Sequence, residues 1–140
     1  MKGIPAKPLV TRAVMLLAAV LIVAGPVLGA DGEEPPAEIG YYALTPSIVS
    51  NLSGGPKYIR CDVQLMTRKA QTLPQIELHA AALRHAILML IAGEDGNQLK
   101  SREGKEALRT RALASVQAQL KDLTGETLVD DLFFTNYYVK

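Results

Sequence analysis

The stretch YYALTPSIVSNLSGGPKYIRCDVQLMTR, residues 41–68, decides the fold of this chain. Residues 41–52 are rich in aromatic and β-branched side chains, and residues 57–68 alternate between apolar and polar ones. Both patterns are typical of β-strands. Because the sequence SGGP at residues 53–56 is a strong turn signal, the stretch predicts a β-hairpin.

Two residues of the hairpin carry more specific predictions. Pro46 has no backbone N–H, so its strand is predicted to lie at a sheet edge or to contain a bulge. Cys61, the only cysteine of the chain, falls among the apolar positions of the second strand. No histidine is near it in sequence, and we therefore interpret it as a small buried apolar residue rather than a nucleophile.

Beyond the hairpin, apolar residues recur at spacings of three and four, which predicts helices. The first predicted helix covers residues 73–92 and is closed by Gly93. Residues 94–99 are interpreted as a short connection. The second predicted helix begins after Ser101, a suitable N-cap, and ends at Gly125.

Residues 127–139, TLVDDLFFTNYYV, return to a strand pattern. Asp130-Asp131 interrupts this pattern and is interpreted as a solvated edge or bulge, because adjacent strand residues point to opposite faces and cannot form an acid/base pair. The element order is ββααβ, and the last strand must return to the hairpin because two strands alone are marginal. The sequence therefore predicts a small α+β domain with helices on one face of a sheet.

No combination of side chains predicts catalysis, a metal site, a cofactor or a small-molecule substrate. His79 and His85 are six residues apart on a predicted helix, whereas zinc sites on a helix use spacings of three or four. The formal net charge of +1 gives no strong field for nucleic acid. A basic cluster on the second helix is interleaved with Glu103 and Glu106, and we interpret it as a solvated face with local ion pairs; it comprises Lys100, Arg102, Lys105, Arg109 and Arg111.

The N-terminal region predicts targeting to a membrane. Residues 1–12 contain basic but no acidic side chains, and the run AVMLLAAVLIVAGPVLGA from Ala13 to Ala30 is uncharged. Residues 31–40, DGEEPPAEIG, are acidic and proline-rich and predict an extended linker. The positive-inside rule then places residues 1–12 in the cytoplasm and residues 31–140, the linker and the domain, outside it.

Spacing alone leaves two interpretations of residues 13–30 open. As a helix, the run reaches about 27 Å, slightly short of a hydrocarbon core of about 30 Å, which is compatible with a single-pass anchor. Alternatively, Gly25-Pro26 limits the uninterrupted apolar stretch to residues 13–24, which fits a cleaved signal sequence. The small residues Gly29 and Ala30 would then mark the cleavage site.

Four stretches, in order along the chain, resemble the flagellar basal-body-associated FliL family. They are an aromatic followed by Leu-x-Pro and an Asn-Leu pair in residues 42–52, the second strand at 58–66, a Ser-x-Glu-Gly-Lys core at 101–105, and a closing strand at 129–139. Together they cover about residues 41–140. The residues that carry the likeness are Pro46, Asn51, Leu52, Ser101, Glu103, Gly104, Lys105, Phe134 and Thr135.

The resemblance implies a domain similar to the stomatin-type (SPFH) fold, in a single-pass protein of the bacterial inner membrane whose C-terminal domain faces the periplasm at the flagellar basal body. It implies a non-enzymatic protein that self-associates, with a ring as the expected oligomer, and that contacts stator and basal-body proteins to support rotation, swimming or swarming and chemotactic motility. It also favours the anchor over the cleaved signal. The alternative is an exported periplasmic scaffold or binding module with the same fold and no motor role.

Overall fold

The computed structural model describes Gly3 and residues 36–140. The predicted ends of the membrane segment, Ala13 and Ala30, lie outside the described residues. The elements are β1 (Gly40–Asn51), β2 (Tyr58–Thr67), a 3₁₀ turn (Ala70–Thr72), α1 (Leu73–Leu78), α2 (Ala80–Ala92), α3 (Gly96–Leu99), α4 (Arg102–Thr124) and β3 (Asp131–Val139).

The three strands form one antiparallel sheet in the order β1-β2-β3. β1 and β2 are the predicted hairpin, joined through residues 52–57. β3 returns after the helices and pairs with the other edge of β2, as the marginal stability of two strands required. The predicted α+β class is therefore confirmed, with β2 as the central strand.

The prediction for Pro46 is confirmed in both of its forms. β1 is an edge strand, and its register with β2 shifts between Leu44 and Ile48, on either side of the cis Thr45–Pro46 bond. Carbonyl groups released from the ladder at this bulge receive a side chain from α2. Arg84 donates from Nε to the carbonyl of Pro46 at 3.0 Å and from Nη2 to that of Ser47 at 2.9 Å.

One face of the sheet is covered by the helices, and the core lies between the two layers. Alternate residues of β2 are at most 2% exposed, and they pack with the inward sides of α2 and α4. The predicted burial of Cys61 is confirmed, since its exposure is 0%. The buried core residues of these three elements are Ile59, Cys61, Val63 and Leu65 on β2, Leu83, Ile87 and Ile91 on α2, and Leu108, Ala112, Val116 and Leu120 on α4.

The single helix predicted over residues 73–92 is wrong: His79 separates α1 from α2, and the chain bends there by 72°. Both helices contact β1, but α1 lies at the start of the strand, where Leu73 packs against Gly40, whereas α2 also packs along α4. Apolar spacing continues through the bend, so periodicity could not reveal it. Within residues 36–140 no single helix is long and apolar enough to cross a bilayer, and only this bent pair meets the length and composition requirement together.

Two further boundaries differ from the prediction. The connection of residues 94–99 contains α3, one helical turn whose N-cap Asp95 accepts a hydrogen bond from the backbone N–H of Asn97 at 2.9 Å. β3 begins at Asp131 rather than at residue 127. Asp130 therefore lies just before the strand and Asp131 is its first residue, so the pair does not interrupt it.

Candidate functional site: the α3–α4 junction and the open sheet face

The Ser-x-Glu-Gly-Lys core lies where α3 meets α4, and we call residues Glu94–Arg111 the α3–α4 junction. Ser101 is the N-cap of α4, and its Oγ accepts a hydrogen bond from the backbone N–H of Gly104 at 2.9 Å. Glu103 lies in the first turn, where a carboxylate stabilises the positive end of the helix. The predicted start of this helix is thus confirmed, and so is its predicted end, because Gly125 has a φ of 84° that favours glycine.

Gly104 allows a backbone contact that no other residue could make. A Cβ at this position would lie 1.8 Å from the carbonyl oxygen of Gln98 and 2.7 Å from its carbonyl carbon. Both are backbone atoms of α3, so they cannot move aside as a flexible side chain would. The glycine of the motif is therefore a packing requirement of the α3–α4 junction.

The motif contacts β3 through Tyr137. The sequence predicts this residue to lie in the closing strand but does not mark it as a site residue. The Nζ of Lys105 lies 4.9 Å from the centre of the Tyr137 ring, a cation–π contact. The Tyr137 hydroxyl donates to the carbonyl of Leu99 at 2.8 Å, and its ring lies 5.4 Å from that of Phe134. The concentration of aromatics in residues 133–138 was the available signal, but periodicity does not show which ring faces a helix.

The basic cluster is only partly the solvated face that was predicted. Arg109 pairs with Glu106 on its own helix, as expected, and this hydrogen bond lowers the pKa of the Glu106 carboxyl and raises that of Arg109. Arg109 also bonds Asp131 of β3 at 2.6 Å, and Arg111 bonds the nearly buried Glu94 at 3.0 Å. These two arginines therefore tie α4 to β3 and to the loop before α3.

The hairpin turn joins the same region. The Ser53 hydroxyl donates to the carbonyl of Glu94 at 3.1 Å, and the Gly96 N–H donates to the carbonyl of Ser53 at 2.9 Å. Asn51 is exposed at the end of β1, and Leu52 packs against the core just before this contact. Most of the family-motif residues are therefore gathered around the α3–α4 junction.

Two family-motif residues lie elsewhere. Pro46 is exposed at the β1 bulge and is bound through its carbonyl by α2. Thr135 is exposed on β3 at a second register shift, between Asp62 and Val63, and its hydroxyl donates to the carbonyl of Asp62 at 3.5 Å.

The side of the sheet away from the helices carries exposed aromatic and aliphatic side chains, and we call it the open face. Tyr41 is 54% exposed, Val49 57% and Tyr138 48%. The Tyr138 ring lies 6.2 Å from that of Tyr58. Polar side chains of β2 lie between the outer strands. By strand register and alternation, the open face consists of Tyr41, Ala43, Val49, Asn51, Tyr58, Arg60, Asp62, Gln64, Met66, Phe133, Asn136 and Tyr138.

The buried thiol of Cys61 and the half-buried hydroxyl of Tyr137 are held in their neutral forms. Burial, and then the negative charge of Asp62, raises the pKa of the Cys61 thiol to about 12. Burial, and then the charges of Cys61 and Glu94, raises the pKa of Tyr137 to about 12. His79 is half-buried at the helix break and His85 is exposed. Across residues 36–140, no three His, Cys, Asp or Glu side chains are grouped so that they could hold a metal ion.

The fold and these surfaces define a small α+β domain whose motif residues lock secondary-structure elements together. Residues 41–139 match the family described as flagellar basal body-associated protein FliL, and this chain belongs to the FliL family. The flagellar protein FliL of Aquifex aeolicus (strain VF5) is 26% identical over 108 residues, which are 75% of this chain and 65% of the Aquifex protein. The match thus spans slightly less than two thirds of that relative.

Replacing Gly104 by alanine is expected to destabilise the domain by about 2–4 kcal/mol, because the new methyl group collides with fixed backbone. Gly93→Ala is the matched control, since a Cβ there meets nothing closer than 3.8 Å and the φ of −90° suits alanine. Urea unfolding followed by circular dichroism measures both. Equal stability of the two variants would contradict the packing role of Gly104.

The stability of the domain is expected to fall as the pH rises above 9. The unfolded thiol of Cys61 ionises from 9.0, whereas the folded thiol stays neutral to about 12. The contribution of the buried neutral thiol is therefore fully present below pH 9 and is lost between pH 9 and 12, at up to about 1.4 kcal/mol per pH unit. Urea unfolding at pH 8–10 should show that the free energy of unfolding declines less steeply with pH in Cys61→Ala than in the native protein. An identical decline in the variant would contradict this assignment.

Proposed function

We propose that this protein is an accessory protein of the flagellar basal body that works through protein–protein contacts and not through catalysis. The observation that carries the proposal is the family match over residues 41–139. The geometry supports it in a second way. The motif residues of the α3–α4 junction are used to stiffen the domain, as a protein that transmits or resists mechanical load requires.

The stiffness follows from how many elements the α3–α4 junction joins. α4 is bound to β3 through Arg109, to the loop before α3 through Arg111, and to α3 through the backbone contact at Gly104. The hairpin turn is bound to the same loop through Ser53. A force applied to one strand edge would therefore be shared by the helix layer instead of peeling the strand away.

In this proposal the protein acts beside the stator. Copies of the domain self-associate, as a ring, around stator units and restrain the periplasmic linker of the stator, which shifts it toward its open, ion-conducting state. The consequence is support of flagellar rotation, swimming or swarming and chemotactic motility. The domain would share the stomatin-type fold, in which a sheet is backed by helices.

The proposed topology is a single pass through the inner membrane. Residues 1–12 lie in the cytoplasm, residues 13–30 form the anchor, residues 31–40 are the linker, and residues 41–140 lie in the periplasm. The charge asymmetry across the apolar run supports this orientation. The anchor is preferred to a cleaved signal because a ring that braces a motor needs a fixed base.

The anchor proposal predicts that the mature protein keeps its N-terminal residues and stays in the membrane fraction. Fractionation followed by N-terminal sequencing measures this. The control is the same chain with its first 30 residues replaced by a secretion signal of known cleavage, which should appear in the soluble periplasmic fraction. If the native chain itself has a mature N-terminus near Asp31 and is found in the soluble periplasmic fraction, the anchor is refuted.

The second candidate function is an exported periplasmic scaffold or binding module without a motor role. Gly25-Pro26 favours it, because this pair shortens the uninterrupted apolar run to the length of a signal sequence. The two candidates differ in what the loss of the protein does to the cell.

Deletion of the gene is expected to reduce swimming or swarming, most clearly under viscous load, while filaments are still assembled. The reason is that the motor loses torque support and not its export apparatus. Soft-agar spreading and single-cell speed in a viscous medium measure the effect, with filaments counted by staining. A plasmid copy should restore motility. Normal motility under load would favour the scaffold function.

A further inference from the structure

A second exposed apolar surface lies on the helix layer, on the side of α2 that points away from the core. Residues 81, 85, 89 and 92 recur at helical spacing and share this side. We call Ala81, His85, Met89 and Ala92 the α2 outer face, and all four are exposed, with Met89 at 60%. Leu78, at the bend before α2, is 76% exposed.

The composition of α2 makes this surface unusual. Its sequence AAALRHAILMLIA contains two polar side chains, Arg84 and His85. Arg84 turns toward β1, where it binds the carbonyls of Pro46 and Ser47. His85 is thus the single polar side chain of the α2 outer face, and a helix that is apolar all round is normally covered on every side.

The α2 outer face and the open face of the sheet are suited to each other. Inside the domain the sheet is already covered by helices on one side, so a helix from a second copy would complete the same packing on the other side. Their charges also complement each other. The open face carries Arg60 and Asp62, while His85 lies within the α2 outer face and the exposed Glu77 precedes the bend that leads into α2. A carboxylate can thus meet Arg60, and the imidazole N–H can donate to Asp62.

We infer that the α2 outer face of one copy packs on the open face of a second copy. This inference rests on the self-association in the proposed function and names the two surfaces that make it. Because the surfaces differ, the contact is head-to-tail. Such a contact repeats from copy to copy and closes into a ring or runs into a filament, whereas a face that pairs with itself stops at a dimer.

The size of the open face sets the strength of a single contact. Three strands at about 4.8 Å spacing and nine residues at about 3.4 Å give a footprint of about 14 Å by 30 Å, or roughly 400 Å². A standard interface buries about 800 Å² on each partner. One contact alone is therefore weak, and assembly gains from tethering on a membrane and from ring closure, in which every copy makes two contacts.

Cysteine cross-linking of the full chain in membranes tests this pairing. Met89→Cys labels the α2 outer face, and Phe133→Cys labels the open face. With a short bismaleimide, neither variant alone should form a cross-linked dimer, the two expressed together should form one, and the double variant should form a ladder of multimers. The native Cys61 does not compete because it is fully buried.

Asp122→Cys, on the exposed side of α4, replaces Met89→Cys in the control and should give no dimer with Phe133→Cys. Each variant is checked for native stability by thermal melting before it is used. Dimers from either single variant would show that a face pairs with itself, and no dimer in the mixed sample would show that these faces do not meet. Either result overturns the inference. If the mixed sample forms dimers but deletion of the gene leaves motility normal, the proposed motor role is contradicted while the contact between the two faces stands.

Discussion

The close approach of two backbones at Gly104 and Gln98 is the constraint on which the helix layer depends. A carbonyl oxygen occupies the place where a side chain would begin, so the single turn of α3 lies directly against the first turn of α4. This contact sets the direction in which α4 leaves the loop. That direction in turn brings Lys105 to Tyr137 and Arg109 to Asp131. These two contacts join α4 to β3.

The same arrangement leaves the sheet covered on one side only. The helix layer covers the buried residues of β2, and the other side of this strand keeps Arg60, Asp62 and the neighbouring aromatic rings in contact with water. A two-layer domain of about 100 residues can bury one face of its sheet and no more. The open face is therefore a consequence of the architecture, and its aromatic content makes it suited to a partner.

The residues that carry the likeness to the FliL family mostly build the domain. Ser101 caps α4, Gly104 permits the backbone contact, and Lys105 lies on an aromatic ring. The motif thus identifies the fold and the family. The surfaces available for a partner, the open face and the α2 outer face, are formed by residues outside it apart from Asn51, which lies on the open face. The residues that identify the family are for this reason mostly different from the residues that are available to contact a partner.

The sequence by itself determined the hairpin, the edge position and bulge at Pro46, the burial of Cys61, the caps at Ser101 and Gly125, and the α+β class. Each of these depends on local backbone chemistry or on short-range periodicity. Only the tertiary structure decided the bend at His79, the extra turn of α3, and the pairing of Arg109 and Arg111 with Asp131 and Glu94. These features arise where segments distant in sequence meet, and the pattern of a single segment does not state which neighbour it will have.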